Sequence, residues 1–295
     1  MKTRVVVLTL LAMIAFASNS LLCRAALRDT TIDPATFTFV RIFSGAITLW
    51  LILNLRRSTS SREGNWISAF ALFAYAAAFS FAYVDLSAGT GALLLFGAVQ
   101  ATMILWGLRK GERLDAIQVA GLLVASIGLV VLVFPGISAP PLIGSLLMLV
   151  AGVAWGVYSL RGRSAANAIA ATTGNFFRAV PFASLISLIM LGRMHLDSLG
   201  IVYAVISGAI TSGIGYVIWY AALSGLKAAS AATVQLSVPV LAASGGILLL
   251  DEPVTFRYVI ASIAVLGGIA LVVIEKQRAR QGQKIKSKNT ANRTR

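Results

Sequence analysis

Arg41 and Arg178 carry full charges inside otherwise apolar runs, and no other feature of the chain calls so plainly for a chemical reason. A guanidinium keeps its proton, and at the centre of a membrane helix it costs about 3 kcal/mol or more. Each lies about six residues from a predicted helix end, roughly 9 Å at 1.5 Å per residue, but counted from opposite sides of the membrane. No Asp or Glu falls inside any predicted span. Their partners must be carbonyls, side-chain oxygens, lipid phosphates or an anionic group of a solute. Two readings stand: the arginines snorkel or brace the fold, or they touch a solute or a gate.

A second polar set comprises Asn19 with Ser20, Gln100, and Gln235 with Thr233 and Ser237. Uncharged amides suit a site that binds a polar or zwitterionic solute and must release it again. Ordinary hydrogen bonding between helices accounts for them equally well. Aromatic residues recur at helical spacing: Tyr75, Phe79 and Tyr83; Trp155 and Tyr158; Tyr216, Trp219 and Tyr220. Near membrane ends such residues form interfacial belts, whereas Tyr75 and Tyr216 fall deeper, where they line a cavity or pack. Pro239, near the middle of the ninth predicted helix, and Pro181, in the seventh, remove backbone hydrogen bonds and permit kinks. Gly152 and Gly156, and the pairs Gly245-Gly246 and Gly267-Gly268, read as close helix contacts.

These residues need helices to hold them, and composition fixes the kind. The 295 residues are 58% hydrophobic and 12% charged, against about 25% charged in a soluble domain. This is an all-α integral membrane protein, with length for roughly ten spans and no sizeable soluble domain. Apolar runs predict helices at about Val5–Ala25, Ala35–Leu53, Trp66–Val84, Ala88–Trp106, Ala116–Phe134, Leu142–Leu160, Thr172–Leu191, Leu199–Leu223, Ala228–Leu250 and Phe256–Ile274. The polar, basic stretch after Glu275 is expected to be disordered. The opening segment resembles a signal peptide, but its counterpart in the second half, LLMLVAGVAWGVYSLRGR, must be a mature helix.

The chain is a duplication. Ala228–Pro253 laid over Ala88–Arg113 sets Ala228 on Ala88, Ser230 on Thr90, Ala232 on Ala92 and Glu252 on Glu112. Continued, the alignment sets Gly268 on Gly128, and backwards it sets Arg178 on Arg41, Phe176 on Phe39, Arg161 on Arg24 and Ala154 on Ala17. The expected units are 1–134, a linker at 135–139, a second repeat at 140–274 and a basic tail at 275–295. Lys and Arg concentrate at the N-terminus, the even-numbered loops and the tail, which puts both termini in the cytoplasm. Five helices per half make the second repeat enter the membrane inverted, with a solute site near the midplane between halves. Asp251, Glu252 and Pro253 read as a helix start.

The net charge of +15 belongs to this topology and implies no nucleic acid. The single cysteine, Cys23, rules out an internal disulfide or a thiolate metal site. There is no HExxH, no intramembrane Asp pair, no buried His beside a Ser and no GxxxxGK[ST] loop, which argues against a membrane enzyme or a nucleotide-driven pump.

The chain resembles the drug/metabolite transporter superfamily in its EamA-type branch, which has two five-helix repeats. The residues carrying the likeness are Ser18-Asn19, Pro34 with Arg41, Ala154-Trp155 with Tyr158 and Arg161, Tyr216 with Trp219 and Ala222-Leu223, and Pro239 with Glu252. It covers about Val5–Ile274 and departs at Val99-Gln100, where the family has a proline. The resemblance implies a carrier that alternates access around a central cavity, moves small metabolites such as amino acids, and keeps its fifth and tenth helices peripheral. Relatives of the small multidrug type carry a first-helix Glu for proton exchange, which this chain lacks.

The function expected is secondary transport, in the export direction, of a small polar metabolite across the inner (cytoplasmic) membrane. The alternatives are a broad exporter of amphipathic compounds or a non-transporting lipid-interacting scaffold. Candidate substrate-binding residues are Asn19, Arg41, Tyr75, Gln100, Trp155, Tyr158, Arg178, Tyr216, Trp219, Gln235 and Pro239; no catalytic residue, metal or cofactor is expected. The expected partners are the solute and the bilayer, with anionic lipids near the basic tail, and a homodimer is left open.

Overall fold

The computed structural model describes residues 2–56, 63–111, 113–136, 139–162, 167–223, 225–226 and 234–293. They form helices α1 (Lys2–Asp29), α2 (Pro34–Leu55), α3 (Trp66–Tyr83), α4 (Ala88–Arg109), α5 (Ala116–Val133), α6 (Leu142–Gly162), α7 (Ala168–Ile189), α8 (Ser198–Leu223), α9 (Ser237–Leu250) and α10 (Phe256–Arg293). Eight are long and apolar enough to cross a membrane, and α9 is a shorter apolar helix. The fold is all-α and membrane-spanning, as composition requires.

The sequence starts these helices with short polar caps that satisfy orphan N–H groups where the chain leaves the apolar layer. Asp33 accepts from Ala35 and Thr36 with Pro34 at the first turn, and Asn65 accepts from Ser68. Asp115 and Gln118 form a capping box on α5, while Asn167 and Asp197 cap α7 and α8.

The packing has a two-fold pattern. Helix α6 lies against α3 and α4 of the first repeat, and α1 lies against α8 and α9 of the second. Helix α3 meets α7 as α8 meets α2, and α2 meets α7 directly. Each repeat therefore lends its first helix to the other half, which is what an inverted duplication gives when the halves interlock. Helices α5 and α10 pack chiefly against each other, at the periphery. Their approach is close enough that a Cβ on Gly121 would sit 2.6 Å from the Gly268 carbonyl oxygen.

Several elements differ from the sequence expectation. Inside α8, Ser207–Ile214 forms a π-helical segment, a widened turn that no residue pattern announces. Helix α7 runs through Pro181 unbroken. Pro239 lies in the first turn of α9, not mid-helix, and the expected earlier part of that helix, 228–233, lies outside the described residues. The basic stretch expected to be disordered continues α10 as helix to Arg293.

One end of the bundle carries the α1–α2, α3–α4, α5–α6, α7–α8 and α9–α10 connections and is called the Glu252 face; the other is the Arg161 face. Replacing Gly268 with Leu should overpack the α5–α10 contact by about 1–3 kcal/mol. The detergent-solubilised variant is expected to melt several degrees lower, measured by intrinsic-fluorescence thermal unfolding; an unchanged Tm would contradict this contact.

Candidate functional site

The polar centre of the protein begins at Asn19, on α1. Its Oδ1 accepts from Ser207 Oγ at 2.6 Å and from Thr211 Oγ1 at 3.2 Å, both in the π segment of α8. Its Nδ2 donates to the Tyr75 hydroxyl on α3 at 3.2 Å. The same hydroxyl oxygen accepts from Arg41 Nη2 at 3.0 Å, and Arg41 Nε donates to Ser212 Oγ at 3.4 Å. Four helices, three from the first repeat and α8 from the second, thus meet in one hydrogen-bonded network.

Arg41 is 2% exposed, and its Nη1 has no hydrogen-bond partner among the described residues. The guanidinium lies 5.2 Å from the Tyr75 ring centroid and 4.9 Å from that of Phe79, within cation–π range. The ionisable side chains around it, Tyr75, Tyr216 and Cys23, are of types neutral at pH 7. Among the described residues it enters no ion pair. The π segment lets α2 come this close: at Gly208 a Cβ would collide with the Arg41 carbonyl oxygen and Ser44 Oγ.

A small cavity of about 20 Å³ opens at the network, lined by Phe16, Asn19, Ser20, Tyr75, Phe79, Leu95, Phe96, Trp155, Thr211, Ser212 and Tyr216. That is room for about one water molecule. Trp155 is the hub of its wall, with ring centroids 4.9 Å from Tyr75, 5.3 Å from Tyr216 and 5.5 Å from Tyr158. Phe16 closes the wall edge-on to Tyr216 and Trp219. The cavity lies between the α3–α4–α6 group and the α1–α8–α9 group.

Asn19, Tyr75, Trp155 and Tyr216 line the cavity, Arg41 is bonded to its lining, and Trp219 stands behind Phe16. Gln100 and Tyr158 lie toward the Arg161 face, buried, with Nε2 and the hydroxyl oxygen unpartnered among the described residues. Gln235 and Pro239 are buried at the start of α9 but do not line the cavity. Arg178 has a different task from its repeat mate: Nη1 donates to the Glu63 carbonyl at 3.1 Å and to that of Gly174 at 3.0 Å. Phe16, Phe79, Phe96, Ser207, Thr211 and Ser212 also belong to the site; the run of small and hydroxyl residues in SGAITSGI was the one signal for the last three.

Both ends of the bundle are tied shut around this centre. At the Glu252 face, both Glu252 oxygens accept from Ala88 N, at 3.0 and 2.9 Å, and Oε1 lies 3.4 Å from Arg24 Nε. Arg24 also donates to the Tyr83 and Val84 carbonyls, and Arg28 to that of Leu250. Glu252 does serve a positive helix end, but that of α4 in the other repeat; Asp251 instead ends α9 in a left-handed turn at φ 49°. At the Arg161 face, Arg161 donates to Ser68 Oγ at 3.0 Å and to Asn65 Oδ1 at 3.1 Å, while Asn175 Oδ1 accepts from Asn65 N at 2.9 Å. Glu112, the repeat mate of Glu252, lies outside the described residues.

The sequence pattern of the EamA-like transporter family matches residues 3–134 and again 142–274. The chain belongs to the EamA-like transporter family. An uncharacterised protein of Pseudomonas aeruginosa is 56% identical over 282 residues, covering 95% of this chain and 98% of its own. An uncharacterised transporter of Archaeoglobus fulgidus is 25% identical, covering 94% and 100%. The uncharacterised transporter YoaV of Bacillus subtilis is 21% identical, covering 81% and 86%. A solved crystal structure with TM-score 0.65 and 17% identity covers 93% of this chain and 98% of its own, a likeness of fold alone. This EamA-like chain is thus a multi-pass membrane protein of a transporter family.

Replacing Glu252 with Gln removes the ion pair with Arg24 and weakens the bond to Ala88. Cys23, the sole cysteine, is fully buried next to Arg24. Labelling of Cys23 by a membrane-impermeant maleimide in vesicles should accelerate about tenfold, the change that loss of roughly 1.4 kcal/mol of closure gives. Unchanged labelling would show that these contacts do not hold the face closed.

Proposed function

We propose that this EamA-like protein is a secondary carrier that exports a small polar metabolite bearing an anionic group, with amino acids and organic acids as the classes to test. The buried Arg41 guanidinium, with Nη1 unpartnered beside a cavity shared by both repeats, carries this reading. A full charge out of water is costly without a counter-charge, and a solute carboxylate would supply one. Gln100 Nε2 and the Tyr158 hydroxyl extend the unpartnered polar groups toward the Arg161 face, as a solute path would.

The packing supports alternating access. At the Glu252 face, Glu252 and Arg24 join the α1–α8–α9 group to the α3–α4–α6 group, whereas at the Arg161 face Arg161 bonds α6 to α3 and Asn175 bonds α7 to α3. Releasing the Glu252 contacts would open the cavity to that side alone. The distribution of Lys and Arg puts the Arg161 face in the cytoplasm, both termini with it, in the inner membrane of the cell. The basic stretch after Glu275 then rests on anionic headgroups. The aromatic wall of Phe16, Tyr75, Phe79, Trp155 and Tyr216 favours a second reading, export of broader amphipathic compounds.

The test is flux in proteoliposomes loaded with amino acids and organic acids. Arg41→Gln should lose at least about 90% of the flux, a tenfold or larger effect of removing a charge-assisted contact, while eluting as a folded monodisperse protein. Arg178→Gln should lower Tm and leave the affinity for solute unchanged. Equal flux in the Arg41 variant and wild type would refute the role given to Arg41.

A further inference from the structure

We infer that the site selects its solute by a carboxylate, and that among carboxylates with an apolar body it prefers one without an α-ammonium group. The inference rests on reading the cavity as the solute site and narrows what that site accepts.

The charge of the site is one-sided. Asn19 Oδ1 accepts from Ser207, and it shares the single Thr211 hydroxyl proton with the Ser207 carbonyl. The Tyr75 oxygen accepts from Asn19 Nδ2 and from Arg41 Nη2, neither of which can accept in return. Both of its lone pairs are engaged, so its own O–H is left to donate. Arg41 Nη1 brings two further hydrogens without a partner. Trp155, the hub of the wall, offers an indole N–H and no acceptor. Among the described residues, no carboxylate and no imidazole lines the cavity.

What remains unbalanced is therefore a positive charge, since the hydroxyls of Ser20, Thr211, Ser212 and Tyr216 can donate or accept. A carboxylate has only acceptors and a negative charge, which is the complement. An ammonium group would bring three more donors and a second positive charge beside a guanidinium that no acid balances. Aromatic faces attract cations; those of Tyr75 and Phe79 are engaged by Arg41, and the attraction of the other lining rings is opposed by the uncompensated guanidinium beside them. A phosphate fits less well than a carboxylate, because two of the three guanidinium nitrogens are committed to Ser212 and Tyr75, leaving one nitrogen for a nearly doubly charged group. The remaining lining, with Phe16, Phe79, Leu95 and Phe96, is apolar and suits the body of the solute. The cavity now admits about one water, so entry requires the helix groups to part, whereas the groups that meet the carboxylate are already fixed by their hydrogen bonds.

The experiment compares matched probes on the purified full-length protein, with dissociation constants from calorimetry and thermal shifts as a second readout. The probes are 3-phenylpropionate, phenylalanine, which adds only the α-ammonium, phenethylamine, which lacks the carboxylate, and benzyl phosphate. The propionate should bind, phenylalanine at least about tenfold more weakly, and phenethylamine roughly 100-fold more weakly or not at all. Tyr75→Phe, which keeps the ring but loses the hydroxyl donor, should weaken propionate binding about tenfold; it serves as the second variant should Arg41→Gln fail to fold.

Phenylalanine binding as tightly as 3-phenylpropionate would overturn the inference while leaving the carrier reading intact. Preference for phenethylamine or for benzyl phosphate would overturn it as well. If no probe binds, the inference also fails, and counterflow with a mixed pool of labelled amino acids, sugars and organic acids then decides the carrier reading separately: flux of any solute sustains it, and absence of flux from all of them removes it.

Discussion

A guanidinium cannot surrender its proton inside a membrane, so everything packed around Arg41 has to accommodate one full positive charge. The protein does this incompletely. Tyr75 and Ser212 take two of its three nitrogens, the faces of Tyr75 and Phe79 take part of its field, and the third nitrogen stays unpartnered. Cys23, Tyr216 and Tyr75 surround it without an acid among them. A fold selected for stability alone gains nothing from such a group, since an apolar side chain of similar volume is commonly neutral or stabilising in its place.

The remainder of the structure can be understood as support for that charge. The π segment of α8 places Ser207, Thr211 and Ser212 on one side of the network, and Gly208 allows α2 to lie against it. The interlocked repeats bring α1 and α3 to the same point from different helix groups. Two sets of end contacts, one around Glu252 and one around Arg161, close the bundle above and below. Each set joins residues of both repeats, and the Glu252 set also joins the two helix groups that hold the cavity.

Much of this was legible in the sequence. Helix number and the duplication follow from apolar run length and from a weak internal alignment, because the bilayer forces backbone groups into helices of a set length, and the peripheral place of α5 and α10 was implied by the family resemblance. Asn19, Tyr75 and Tyr216 stood out as polar or amphipathic groups too deep for an interfacial belt. The alignment misled where the two repeats have diverged in role: it paired Arg178 with Arg41, yet Arg178 spends its donors on the carbonyls of Glu63 and Gly174. Glu252 was read from its neighbours as the start of its own helix, whereas its partner is the N-terminus of α4, more than 160 residues away in sequence. The π segment had no signal, since widening a turn depends on what packs against it and not on the residues within it.

The most direct measurement is a binding cycle that crosses Arg41→Gln with the change from 3-phenylpropionate to its uncharged amide, 3-phenylpropionamide. If the buried guanidinium exists to meet the charge of the solute, the substitution weakens the carboxylate roughly 30-fold or more and the amide less than about threefold. Equal losses for the two ligands would contradict the account, because Arg41 would then serve only the packing of the protein.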